Sequence, residues 1–132
     1  LSENTKSYQK IKAVVDKNSK AIFQGKIFVD PKAQKTNGYQ LSKAILLNEE
    51  SEFNSKPELE IYADDVKCSH GSTSGNLDEE AIFYLMSRGL DKYEAKKLLI
   101  KGFLSDAIET ITNNEIKKYF LNKLENKINE FS

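Results

Sequence analysis

Scarcity marks this chain before any motif does. A single Cys stands among 132 residues, so no internal disulfide can form, and such usage fits a reducing compartment. Tryptophan is absent, and His and Met occur once each. Neither sign of charge prevails, since Lys plus Arg and Asp plus Glu both total 20. Binding a phosphate backbone needs a basic footprint, so this balance offers no electrostatic case for nucleic acid. Long apolar runs are missing too. Stretches such as Ala81 to Met86 fall far short of the roughly 20 residues a membrane span needs, and no membrane partner is expected. The opening LSENTKSYQK is polar and unlike a signal peptide. It begins without Met, which leads us to expect a processed protein or an excised fragment. No GxxxxGK[ST], GxSxG or HExxH occurs, so those phosphate-loop, nucleophile-elbow and zinc-protease signatures are lacking.

Two of the rarest residues meet in LEIYADDVKCSHGSTSG, from Leu59 to Gly75, where Cys68 and His70 lie two positions apart. Ahead of them Leu59, Ile61 and Ala63 alternate with Glu60, Tyr62 and Asp64, the period of a strand. Carried on without a bulge, that parity puts Val66, Cys68 and His70 on one side. Neighbours two apart on a strand lie roughly 7 Å apart. A thiolate and an imidazole both suit zinc, iron or an iron–sulfur cluster. Each also has a plainer reading. A lone Cys on a strand is more often a small buried hydrophobe, and His70 could be a satisfied structural histidine in a turn. Two ligands cannot complete a tetrahedral site, so a metal centre here must borrow the rest from elsewhere in the fold or from a partner. Gly71 to Asn76, small and polar, are expected to end the strand as a turn. Asp64 and Asp65 read as turn-forming aspartates, because adjacent strand residues point to opposite faces. With Cys68 and His70 they define the alternative function, a metal-dependent or thiol enzyme. A Cys–His pair at this spacing has no evident third group to orient its base.

Taken in order, Leu1 to Ser7 is polar and reads as frayed. Strand-like pieces follow at Lys10 to Val15, Ala21 to Val29, Gly38 to Leu47, Glu52 to Asn54 and Glu58 to Ala63, separated by clusters of turn residues. Short strands of this kind allow a sandwich, a barrel or stacked rungs, and internal repetition reads as too faint to decide. The texture changes at Asn76. Asp78 with Glu79 and Glu80 opens a helix, Leu77 and Ile82 stand at staple positions, and Gly89 closes it. Asp91 and Glu94 have capping-box spacing for a second helix, with apolar positions at Ala95, Leu98, Leu99, Phe103, Ala107 and Ile111. Past Asn113-Asn114 a third carries Ile116, Phe120, Leu124, Ile128 and Phe131 along one stripe. The second helix is apolar over more than one stripe, which fits a helix packed on both sides or a partner groove.

LEIYADDVKCSHG, its Ser/Thr/Gly continuation and LDEEAIFYLMSRG, together with GKIFVDPKAQKTNGYQ upstream and Lys56-Pro57, resemble the C-terminal region of SufD-type members of the SufB/SufD family. These are scaffolds of the SUF machinery for iron–sulfur cluster assembly. The resemblance covers most of Ala21 to Phe103 and is weaker towards SufB-type members between Tyr62 and Gly71. It implies a mainly β plus α fold. Residues 1–75 would be terminal rungs of a right-handed parallel β-helix, and residues 76–132 a C-terminal three-helix domain. It implies a non-catalytic scaffold fragment that presents His70 to a nascent iron–sulfur cluster shared with a SufB-type subunit, with Cys68 ranked second. No cofactor is expected in the isolated fragment. The helices would dock a SufC-type ATPase, with Tyr84, Arg88 and Phe103 as candidate contacts. The implied location is bacterial cytoplasm, or alternatively a plastid stroma. An opened stack of rungs would also expose unpaired backbone, so self-association of the fragment is expected.

Overall fold

The computed structural model describes residues 2–130. Contacts divide the chain between Gly75 and Asn76 into two compact units. The first is built of strands β1 Lys6–Val15, β2 Lys20–Val29, β3 Asn37–Leu46, β4 Glu52–Ile61 and β5 Lys67–Asn76, and the second of helices α1 Glu79–Ser87, α2 Lys92–Ile108 and α3 Asn114–Asn129. The protein is thus mixed α/β.

Successive strands alternate between two sheets, β1-β3-β5 and β2-β4. Lys6 to Val15 pair in parallel with Asn37 to Leu46, a register step of 31 residues. Lys20 to Val29 pair in parallel with Glu52 to Ile61, a step of 32. Gly38 lies against Cys68, and Gly71 against Leu41. The same step of 30 at two places holds only if β3 and β5 run in one direction. Parallel neighbours cannot be joined by a hairpin, and here each crossover is a strand of the opposite sheet.

This register makes a repeat visible that the sequence pattern had left undecided. Tyr8-Gln9 falls beside Tyr39-Gln40, and Lys12-Ala13-Val14-Val15 beside Lys43-Ala44-Ile45-Leu46. Three expected boundaries also change. β1 begins at Lys6, inside the span expected to fray, because the Asn37 N–H donates to the Thr5 carbonyl just ahead of it (2.9 Å). β4 is one strand rather than two pieces and runs through Pro57. It has a single neighbour, and an edge strand admits proline. Finally, residues 62–66 break the parity that was carried from Leu59 to His70, while Gly71 to Asn76 are strand rather than turn. Pairing with the backbone of β3 overrides the turn preference of those small side chains.

The inner faces of the two sheets meet through Gly38, Gln40, Ser42 and Ala44, all buried on β3. Ser42 Oγ and Ser55 Oγ share a 2.7 Å hydrogen bond between β3 and β4. Gly25 on β2 lies so close to Gln40 that a Cβ would collide with its Nε2 and with the Phe23 ring. Nearby, Ile27, Val29, Ala33 and Ala63 form an apolar cluster, joined by Leu59, Val66 and Cys68. The connections between strands are tied to one another. Asn48 Nδ2 donates to Asp16 Oδ1 (3.0 Å), and the Asp65 N–H donates to Gln34 Oε1 (2.9 Å). Lys17, Asn18 and Lys35 take the left-handed backbone these corners require, at φ of 56°, 58° and 58°.

In the second unit the caps lie where the sequence puts them. Asp78 accepts from the N–H groups of Glu80 and Ala81. Asp91 and Glu94 form a reciprocal capping box, and Gly89 has φ +99°. Ile82, Ala95, Ile100 and Ile128 are buried. α2 ends at Ile108, so Ile111 lies beyond it, and Phe131 lies outside the described residues. The Lys101 ammonium beside Glu125, 2.7 Å away, holds that carboxyl below the usual carboxylate range. Its contribution is present above the unfolded-state value and fades as pH falls through the lowered one.

Gly25→Ala is expected to destabilise the chain by about 1–3 kcal/mol through overpacking against Gln40, measured as a shift in urea midpoint. Gly75 has nothing within 4 Å of a built Cβ, so Gly75→Ala should stay within about 0.5 kcal/mol.

Candidate functional site

In the first sheet, residues one register step apart form rows. Gln9 stands opposite Gln40, and the step of 30 fixed by Gly38–Cys68 and Leu41–Gly71 carries that row on to His70. Gln40 belongs to the inner face, where Gly25 of the second sheet covers it. It is 1% exposed, and its Nε2 donates to Gln9 Oε1 at 2.7 Å. Its own Oε1 is buried and has no hydrogen-bond partner among the described residues. His70, next in the same row, is exposed. The reason is a difference in strand number. Among the described residues the first sheet has three strands and the second two, so beyond β4 none of the described strands of the second sheet lies over the inner face of β5. Ser72 and Ser74, which share that face by parity, are exposed as well.

Cys68 lies one row earlier and meets a different environment. Its Sγ is 3.1 Å from where a Cβ on Gly38 would stand, and it packs on the apolar cluster of Ile27, Val29, Ala33 and Ala63. Cys68 also lines a cleft of about 470 Å³, together with Lys6, Tyr8, Tyr39, Lys67 and Ser69. The thiol is half-buried and sits with hydrocarbon. Asp64 and Asp65 lie in the bend between β4 and β5, where the Asp65 carbonyl accepts from the Lys35 N–H (2.6 Å). Among the described residues no group of three or more His, Cys, Asp or Glu side chains is gathered so as to hold a metal ion. The imidazole is exposed, and the half-buried thiol packs on the apolar cluster.

Of the expected docking residues, Tyr84 is 56% exposed and Arg88 stacks its guanidinium over the Tyr84 ring, 5.0 Å from the centroid. Phe103 is half-buried on α2. Further apolar surface lies on these helices, with Phe83, Met86 and Leu98 exposed. A groove of about 300 Å³ between α2 and α3 has Leu90, Leu98 and Ile128 on its walls beside Lys97, Lys101 and Glu125. No described helix is long and apolar enough to cross a membrane.

Sequence reading missed Gln9 and Gln40. The signal was there as the recurring Tyr-Gln pair, 31 residues apart, which aligns only once strands are known to stack in register.

Parallel strands that alternate between two sheets and end on the strand bearing Cys68 and His70 make this a mixed α/β core. Residues 1–103 match the family described as SUF system FeS cluster assembly, SufBD core domain. The chain belongs to that SufBD family, and its similarity is to SufD-like members. It is 40% identical over 118 residues to the iron–sulfur cluster assembly protein SufD of Escherichia coli, covering 89% of this chain and 28% of that protein. An iron–sulfur cluster assembly SufBD family protein of Synechocystis is 45% identical over 100 residues, 76% of this chain and 22% of the relative. A chloroplastic protein of Arabidopsis thaliana is 42% identical over 104 residues, 79% of this chain and 22% of its own length. The chain therefore spans about a quarter of the length of the curated relatives it matches.

Cys68→Ala is expected to cost about 1 kcal/mol of stability in denaturant melts, the scale of one buried methylene-sized group. Alkylation of the wild-type thiol should speed up on unfolding.

Proposed function

We propose that this chain is the C-terminal part of a SufD-type scaffold subunit that does no chemistry alone and completes a cluster-building site with a SufB-type subunit. In this reading residues 1–75 are the last coils of a right-handed parallel β-helix, and residues 76–132 are the helical domain that follows. The observation that carries it is His70, exposed on an inner-face row that no second-sheet strand covers. An imidazole there is ready-made for a ligand that comes from a second chain. The cluster is cargo rather than a resident cofactor. His70 would offer one ring nitrogen to iron, and a lone imidazole leaves a four-coordinate iron unfilled; the resemblance to SufD-type members implies a cysteine of the SufB-type subunit as a further ligand. Cys68, packed in the apolar cluster, serves the fold around that site.

The helical unit supports the other half of the proposal. Tyr84 and Arg88 form an exposed aromatic–guanidinium pair, the residue types that anchor interfaces, and they would dock a SufC-type ATPase. Nucleotide-driven motion could then reach the cluster site, provided that the two states of the assembly bind the nucleotide-loaded ATPase differently. The proposed location is bacterial cytoplasm or plastid stroma, and the unpaired strand edges would let the chain self-associate when the rest of the assembly is missing.

Anaerobic reconstitution with SufB-type and SufC-type partners tests the site. His70→Ala should cut cluster yield by about ten- to a hundredfold, the scale on which metal sites respond to lost support, and unchanged yield would refute the shared site. Tyr84→Ala with Arg88→Ala should weaken co-purification of the ATPase by more than about 1 kcal/mol per residue while leaving the SufB-type subunit bound.

A further inference from the structure

We infer that Gln40 is a positioning residue for His70: its Oε1 accepts the imidazole N–H and so decides which ring nitrogen keeps a free lone pair. The inference deepens the reading of His70 given above and rests on it. Gln40 is 1% exposed, and its amide is only half used. Nε2 donates to Gln9 Oε1 at 2.7 Å, while Oε1, buried, has no partner among the described residues. Buried acceptors are nearly always paired, so this one marks a place where a donor belongs.

The surroundings leave few candidates for that donor. On one side the row holds Gln9, already engaged with Nε2. The neighbouring inner-face hydroxyl, Ser42 Oγ, shares a 2.7 Å bond with Ser55 Oγ in which either can donate, and it does not reach Gln40 Oε1. Across the gap stands Gly25, which has no side chain to donate and lies against Nε2. On the remaining side the row continues to His70, which is exposed and which the register step of 30 places beside Gln40. A neutral imidazole carries one N–H and one lone pair. Once the N–H is given to a carbonyl oxygen, the other nitrogen is committed as the ligand, the arrangement by which proteins orient metal-binding histidines. Gly25 has a part in this as well, since its missing Cβ leaves the room that Gln40 Nε2 occupies.

The chain contains one histidine, so long-range nitrogen–proton NMR reads this ring without ambiguity. The full chain is measured free of iron and partners, on the alkaline plateau where the ring signals no longer move with pH. The wild-type ring should show one tautomer, and Gln40→Leu should lose that single pattern and give a mixture. A mixture in the wild type overturns the inference. So does a single, unchanged tautomer in a Gln40→Leu chain whose circular dichroism matches the wild type. Should Gln40→Leu fail to fold, the wild-type ring decides by a second signature. A nuclear Overhauser contact between the His70 ring and the Gln40 side-chain amide supports the bond, and its absence overturns it. Because no cluster enters this measurement, a failed tautomer test leaves the assembly role of His70 standing, and intact assembly in His70→Ala leaves the bond standing.

Discussion

The constraint behind everything in the first unit is register. Parallel strands pair at a nearly constant step, 31 residues between β1 and β3 and 32 between β2 and β4. Adjacent strands are about 4.8 Å apart, so each paired side chain lies beside its counterpart one register step away. Alike residues then solve the same problem repeatedly. Tyr8 and Tyr39 stack with centroids 5.0 Å apart, Gln9 and Gln40 share a hydrogen bond, and Thr5 and Thr36 join hydroxyls at 3.0 Å. A one-residue slip would turn each of these pairs to the opposite face, which is why the corners are pinned by Asn48–Asp16 and Asp65–Gln34.

The second sheet has two strands to the first sheet's three, and that difference sets the surroundings of Cys68 and His70. Cys68 and His70 share a strand and a parity, yet one packs against hydrocarbon while the other meets solvent. The first lies beside the cluster supplied by β2 and the segments flanking β5. The second lies where the two-stranded sheet has run out. A closed fold would have hidden both or placed an apolar residue at the second position. The last strand instead carries Ser, Thr and Gly after His70. Such a surface is cheap to leave wet.

The helical unit follows a separate logic. Its ends are secured locally by Asp78, by the Asp91–Glu94 box and by Asn113, which accepts from the N–H groups of Glu115 and Ile116. Its interior is thin, with Ile82, Ala95, Ile100 and Ile128 buried. Much aromatic surface remains outside, Phe83 at 74% being the extreme. Helices that are well capped but sparsely packed gain from a partner that covers such surface. Fold and site thus divide the labour: one unit carries the imidazole, and the other carries an exposed aromatic face.

The sequence by itself determined the local features. The helix caps, the three-helix count, most strands and the family likeness all follow from residues within a few positions of one another or from an ordered motif. Only the tertiary structure decided how the strands are shared between sheets. It alone joined β4 through Pro57, carried β5 past Gly71 and made the row from Gln9 to His70. The physical reason is range. A cap is formed by neighbours three residues apart, and its signature is therefore written in the chain. A row is formed by backbone ladders between residues about thirty apart, and whether an imidazole in it is covered depends on a strand that is not there.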